Sequence, residues 1–514
     1  MTRLFPRLAF AAGLAAGALA AVAPAYAAGD VVIGLDANVV GLDPADLNDN
    51  LSMSASRTML QGLYGFDKDM KMIPVLAESY AANEEATEFV IKLRHNVTFH
   101  DGAAFNAQAV KTSFDRARNP ENHLKRSSLY SPIDHIDVVD DYTVKITLKA
   151  PFGAFINNLA HQAFAISSPQ AIAQYGKDLD RHPVGTGPYK FVSWQTDTFK
   201  AAKNENYWKP GMPKVDSITI RSVPENGSRL AMLQANEAQL IYPLPTEMAR
   251  AIEKSPTIDV VNNKSIFAFY VALNNMRKPF TDVRVRQALN YAVDKNAMAK
   301  VVWNGYAAPL DSALPPLLSG YVSQGAAWPY DPAKAKQLLA EAGFPNGFES
   351  TLWGGNTTLA QRAMQFLQQQ FAAVGVKVQV EPLEAGVATA KIWSVKTPEE
   401  ATTLMHYTGW SASTGDADWG VRPLLGGPAA FPPVLFNTAY YDSAQVNNDI
   451  QAGLTTADPS KRAAAYKDAQ AQIWKDAPWV FLVSPDIIYA KAKKLSGVYI
   501  MPDGQMLTED AALN

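Results

Sequence analysis

The chain has 514 residues, carries 46 Lys and Arg against 49 Asp and Glu, and contains no cysteine. That length suggests about three domains as a starting expectation. A mildly acidic balance without a basic tract argues against a nucleic-acid partner, and zero cysteines exclude a disulfide framework, a thiol nucleophile and a lipid anchor at cysteine.

Arg3 and Arg7 precede an apolar, Ala- and Leu-rich stretch over 8–23 and then Ala25-Tyr26-Ala27. Positive, apolar and small-x-small in that order reads as a cleavable secretory leader, residues 1–27. Its loss makes the formal charge of −3 two units more negative. No later stretch is apolar for long enough to cross a bilayer, so the mature product is expected to be soluble and exported.

Residues 31–35 form a short apolar run that enters the turn Gly41-Leu42-Asp43-Pro44, as a buried strand does. Apolar residues recur at helical spacing over 53–63. Half-buried strands are predicted at 89–93 and 144–148, with a helix near 107–118 between them, and alternation returns at 218–223 and 376–380. The spacing predicts a helix over 283–302. Asp331-Pro332 supplies a cap and a first-turn proline for a helix closed by Gly343. A further helix is expected over 359–374 before Gly375, then a strand over 402–407. Asp458-Pro459 opens a last helix that runs to about Lys475. Strands and helices mixed along the whole chain indicate an α/β or α+β protein. With no repeat and no Gly/Ser tether, the domains are expected to be joined by crossing strands, as in lobes that hinge about a cleft.

After the strand at 402–407 comes the richest stretch, Tyr407-Thr408-Gly409-Trp410-Ser411-Ala412-Ser413-Thr414-Gly415-Asp416-Ala417-Asp418-Trp419. Glycines admit close backbone approach, hydroxyls and amides hydrogen-bond, and indole offers apolar area with a polar edge. The run suits contact with a small polar ligand, or else is a surface turn whose Asp418 caps a helical turn. Motifs for zinc hydrolysis, a serine elbow or a phosphate loop are missing, and the seven histidines show no metal spacing.

This run resembles the peptide- and nickel-binding family of periplasmic substrate-binding proteins of ABC importers. So do Leu42-Asp43-Pro44, Leu76-Ala77-Glu78-Ser79-Tyr80, Val184-Gly185-Thr186-Gly187-Pro188-Tyr189, Asn206-Tyr207-Trp208 and the segment 285–293. The resemblance implies a periplasmic binding protein-like α/β fold: two hinged lobes with an extra inserted subdomain. Lobe I would comprise 28–65, 181–270 and 486–514, the insert 66–180 and lobe II 271–485. A small ligand would lie between the lobes of a periplasmic monomer without cofactor or metal, whose partner is an inner-membrane ABC permease.

Asn122-His123-Leu124-Lys125-Arg126, the segment 152–157 and Leu352-Trp353 resemble the glutathione-binding branch of that family. Peptide-binding members carry an aspartate three residues after the loop tryptophan, where this chain has Ser413. In glutathione the ammonium shares its carbon with a carboxylate, so a neutral hydroxyl suits that zwitterion. Another short peptide, haem or a nickel chelate remains open as cargo, with a hydrolase or a chaperone as more distant readings. A carrier of a thiol cargo would also gain by having no thiol of its own.

Under this resemblance the ligand-binding candidates are Asn48, Asp49, Asn50 and Ser52 after the first turn, Arg126 and His161 in the insert, and Trp353, Asn356 and Thr357. Tyr407, Trp410, Ser411, Ser413, Thr414 and Asp416 complete the set from the long run. Arg126 can grip a carboxylate with two parallel bonds. Asp416 can receive an ammonium or brace its own turn. The free amides that begin the helix near Thr357 can accept a carboxylate, unless Thr357 or Thr358 simply caps it.

Overall fold

The structure is a computed structural model that describes residues 29–514, so the leader read over 1–27 lies outside the described residues. Its spine is a 12-stranded mixed sheet organised about the 14-residue strand Trp479–Ala492. At roughly 3.3 Å per residue this strand runs for roughly 45 Å, long enough to belong to two lobes. Its first half pairs with Phe267–Leu273 and Ala307–Pro309; its second half pairs with Ile258–Lys264 and Leu240–Tyr242. Beyond Phe267–Leu273 lie Met405–Ser411, Glu349–Gly355 and Lys377–Leu383. Beyond Leu240–Tyr242 lie Asp30–Leu35, Ser217–Ser222, Thr198–Lys203 and Tyr189–Trp194.

The chain crosses between the two halves a second time at Ser265-Ile266, between Ile258–Lys264 and Phe267–Leu273. Ser265 is buried there and its hydroxyl donates to Pro485 O on the neighbouring crossing, while Lys264 pairs with Asp486 at 2.9 Å. Each half has its own buried apolar cluster, one around Val31, Ile33, Ile218 and Leu240, the other around Val271, Leu289, Leu352 and Met364. This is a two-lobed α/β architecture whose halves share paired crossings.

A separate four-stranded antiparallel sheet, in the order Ala77–Ala82, Glu88–Leu93, Thr143–Leu148 and Ile133–Asp140, forms the extra subdomain. The helix Ala107–Arg118 buries Val110 and Phe114 against it, and Asn106 caps that helix by accepting from Ala109 N at 3.0 Å. The apolar core continues from Phe66 and Met70 to Leu318 and Ala412 of the second lobe, so the subdomain bridges both lobes.

Most local signals hold in the structure, and three shift. The helix expected over 283–302 is two, Val283–Tyr291 and Lys295–Val302, because Asp294 accepts from Ala297 N at 2.8 Å and caps the second. A short acid side chain at that point competes with the helix backbone and restarts the helix. The helix read over 53–63 is Asn50–Arg57, started by Asp49. The strand expected at 402–407 is Met405–Ser411, which draws Trp410 and Ser411 out of the loop and into the sheet.

Candidate ligand-binding site

One wall grows from the carboxyl end of Asp30–Leu35. Asp49 caps the helix Asn50–Arg57, its Oδ1 accepting from Ser52 N at 2.7 Å. Ser52 is fully buried and accepts from Val40 N at 2.9 Å, and Asn50 Nδ2 donates to Asp503 O at 2.6 Å. These three side chains therefore fix the loops that meet here, whereas Asn48 stays exposed.

Arg126 is tied to the same loop, its backbone N donating to Ala45 O at 3.0 Å and its Nε to Leu47 O at 2.6 Å. Its two Nη atoms have no acceptor among the described residues, so the guanidinium is held by one edge and offers the other. Burial pulls its pKa down, opposed by the charge of Asp49.

His161 is buried, and its Nδ1 accepts from Ala163 N at 3.0 Å, which leaves the proton on Nε2. Burial, then the charges of Arg126 and Arg57, push its pKa down to about 3. It is a neutral donor between two cations. Arg57, which the sequence reading did not nominate, ends the helix Asn50–Arg57; its Nη2 donates to Gln505 Oε1 at 2.9 Å and its buried Nε has no partner. The one available signal was its position as the sole charged side chain in Asn50–Arg57, directly after the candidate loop.

The second wall lies at the ends of two parallel strands, Glu349–Gly355 and Met405–Ser411. Trp353 is buried with its indole N–H unpartnered, and Lys391 Nζ stands 4.9 Å from its ring centre. Asn356 donates to Glu384, and Thr357 caps Thr358–Ala372 by accepting from Ala360 N at 3.2 Å, so both are occupied by local structure. Tyr407 is buried against Phe269, ring centres 5.8 Å apart, with an unpartnered hydroxyl.

Trp410 is half-buried, donates from Nε1 to Trp419 O at 2.8 Å, and packs on Trp419 and Phe436 at 5.9 and 5.1 Å. Ser411 Oγ is buried without a partner. Ser413 and Thr414 likewise make no side-chain hydrogen bond among the described residues, and Ser413 N closes a turn on Ser411 O at 2.9 Å.

Asp416, not Asp418, caps Ala417–Leu425. Its Oδ1 accepts from Asp418 N at 2.9 Å and from Arg462 Nη2 at 2.7 Å, so the bracing role is filled. Burial raises its pKa in spite of Arg462. Asp418 instead accepts from Arg422 and Tyr466. Gly415, at φ +68, lies so close to Phe66 of the insert that a Cβ would come within 2.8 Å of the ring.

Thus Arg126 and His161 come together with the loop 48–52 and with Arg57, while Trp353 and the residues 407–414 form a second group. The groups approach at the hinge: Ser411 pairs with Phe267, whose side chain packs against the same buried cluster as Leu51. The partnerless buried polar atoms of this region do not share one face: the Trp353 indole lies on the side of His406, while Tyr407 and Ser411 point to the opposite side of the sheet.

Residues 71–431 match the model for bacterial extracellular solute-binding proteins, family 5 Middle. The chain is 50% identical over 504 residues to the glutathione-binding protein GsiB of Pectobacterium atrosepticum, covering 97% of this chain and 98% of that one. It is 48% identical over 492 residues to GsiB of Salmonella typhimurium, covering 95% and 96%. Among solved structures, HbpA2 from Haemophilus parasuis superposes with a TM-score of 0.84 at 27% identity, covering 94% of this chain and all of that one. With a two-lobed fold, a bridging subdomain and a match through most of its length, this chain belongs to family 5 of the bacterial extracellular solute-binding proteins.

Proposed function

We propose that the protein is a periplasmic receptor that captures glutathione between its lobes and presents it to an ABC import permease. The observation that carries this reading is the pair of guanidiniums, Arg126 and Arg57, about the neutral His161. Glutathione near neutral pH bears two carboxylates and one ammonium. Enclosing it requires donors for two anions, because an unpaired charge in a closed cleft is costly. Arg126 supplies a free edge, Arg57 and His161 supply further donors, and the hydroxyls of Ser411, Ser413 and Thr414 suit a zwitterionic head group. The GsiB relatives, named for binding glutathione, support the same cargo.

Closure is the working step. A ligand that touches both lobes favours the closed state by the difference in its affinity for closed and open forms. The lobe boundaries in this reading are those implied by the resemblance, the receptor acts as a monomer, and it performs no chemistry on its cargo. Titration calorimetry with glutathione, its disulfide and an ordinary tripeptide tests the proposal. Micromolar binding of a glutathione form, about −8 kcal/mol, with the ordinary tripeptide clearly weaker, is the expected result. Preference for the ordinary tripeptide, or release of cleaved products, overturns it.

A further inference from the structure

The segment 152–157 supplies no candidate ligand residue; it forms the corner by which the inserted subdomain meets the second lobe. Gly153 N donates to Leu454 O at 2.7 Å, and a Cβ at Gly153 would overlap Thr456 O and come within 2.8 Å of Arg462 Nη1. The Arg422 guanidinium stands 5.3 Å from the ring centre of Phe152. These partners flank the turn between the helices Ala444–Leu454 and Pro459–Asp476. The latter helix is tied to the second lobe, where Arg286 Nε donates to Asp476 O at 2.9 Å.

The two surfaces are built separately. Phe152 N donates to Ala86 O at 3.0 Å inside the subdomain, and Arg462 Nη1 donates to Gly453 O at 2.9 Å and holds the turn. Gly153 does not have a left-handed φ, so its own backbone does not require glycine. What excludes a side chain there is the second lobe.

The subdomain is fastened unequally to the two lobes. Toward the first lobe Arg116 pairs with both carboxylate oxygens of Asp43, and Arg126 N, Ile166 N and His100 N donate to Ala45 O, Gln61 O and Gly185 O at 3.0, 2.9 and 2.8 Å. Toward the second lobe, Gly153 N to Leu454 O is the one hydrogen bond among the described residues, and no ion pair accompanies it. The rest of that junction is apolar, with Phe66 and Met70 sharing a buried cluster with Leu318 and Ala412. An apolar face parts and rejoins without stranding buried polar groups, and its closure removes apolar surface from water with no ligand needed.

We propose that Phe152-Gly153 is a closure latch, which seats on the turn at 453–456 as the lobes close and so sets how firmly the receptor holds a cargo it does not touch. The proposal rests on the receptor reading, because only a protein whose lobes open needs a separable face. Apparent affinity scales with the population of the closed, competent state, so a change confined to the latch reaches a ligand it does not contact.

The test follows hydrogen exchange at single amides of the full mature protein, beside calorimetry and thermal melts of Gly153→Ala. Without ligand, the Gly153 amide is expected to exchange at least about tenfold faster than the Phe152 amide, whose bond to Ala86 is internal to the subdomain. Glutathione is expected to slow Gly153 and to leave Phe152 as it was. Gly153→Ala is expected to weaken glutathione about tenfold, with the ligand-free melting temperature unchanged. Equal protection of the two amides without ligand, or a fall in the ligand-free melting temperature of the variant, overturns the latch, since the contact would then be a permanent part of the fold. Failure of the unaltered protein to bind glutathione overturns the cargo reading alone, because the ligand-free comparison of the two amides still decides whether this face separates.

Discussion

Ser265 Oγ and Ser484 Oγ stand 3.4 Å apart where the two crossings between the lobes run side by side, and Ser265 also donates to Pro485 O. The hinge is thus fastened by a hydroxyl to a carbonyl that Pro485, opposite Ala307 in the sheet, leaves within reach. Ser265→Ala is expected to cost about 1 kcal/mol in urea unfolding, and Ser484→Ala much less. Equal losses from the two would show that the serine pair, not the bond to Pro485, holds the crossing.

Acid should loosen the fold through His161. In the unfolded chain this imidazole titrates at its ordinary 6.5, and in the fold at about 3, so between those values the unfolded state holds more protons. Its contribution is complete above about pH 6.5 and is lost as pH falls toward about 3. His161→Asn, which keeps an acceptor for Ala163 N, is expected to flatten the fall in unfolding midpoint between pH 7 and pH 4. His100 and His406, both pushed down to about 4 chiefly by burial, leave a residual slope. An unchanged slope in the variant would assign the acid sensitivity to them.

Arg126 is anchored by Nε alone, so its free edge is the part available to a ligand. Arg126→Gln is expected to weaken glutathione binding about 10- to 100-fold, the range for a lost charge-assisted bond. The melting temperature should move little, and calorimetry beside a thermal melt checks both. A large fall in stability with intact affinity would make Arg126 a brace for the loop at Leu47.

By the resemblance, Ser413 places a neutral hydroxyl where peptide-binding members carry an acid. In the proposed complex Ser413→Asp puts a carboxylate beside the α-carboxylate of glutathione, a like-charge contact expected to weaken that ligand about tenfold. The same change is expected to improve binding of an ordinary tripeptide, whose ammonium stands alone on its carbon. Parallel titrations read the exchange of preference, and an unchanged ratio would remove Ser413 from the head-group contacts.

Caps and turns were readable in advance because they depend on neighbours a few residues away. Asp331, Asp458 and Thr357 all cap the helices expected of them. The same local chemistry explains why two candidates turned out occupied: Asp49 and Asp416 are short polar side chains at helix starts that accept from their own helix's backbone, whereas Ser52 accepts from Val40 N of the preceding loop. The long strand Trp479–Ala492 was not foreseen. Pro485 interrupts its apolar run, and a proline in a run argues against a central strand unless a partner's geometry tolerates it.

Spacing, composition and motif determined from the sequence alone that the chain is mixed α/β and resembles a family that binds small solutes, and they carry the expectation of a leader over 1–27. Only the tertiary structure decided that Arg57, Arg126 and His161 converge, while Asp416 turns away to Arg462. A cap needs three or four residues of correct spacing, but a cluster gathered from positions 57, 126 and 161 exists only after the sheet and its inserted subdomain have closed around it.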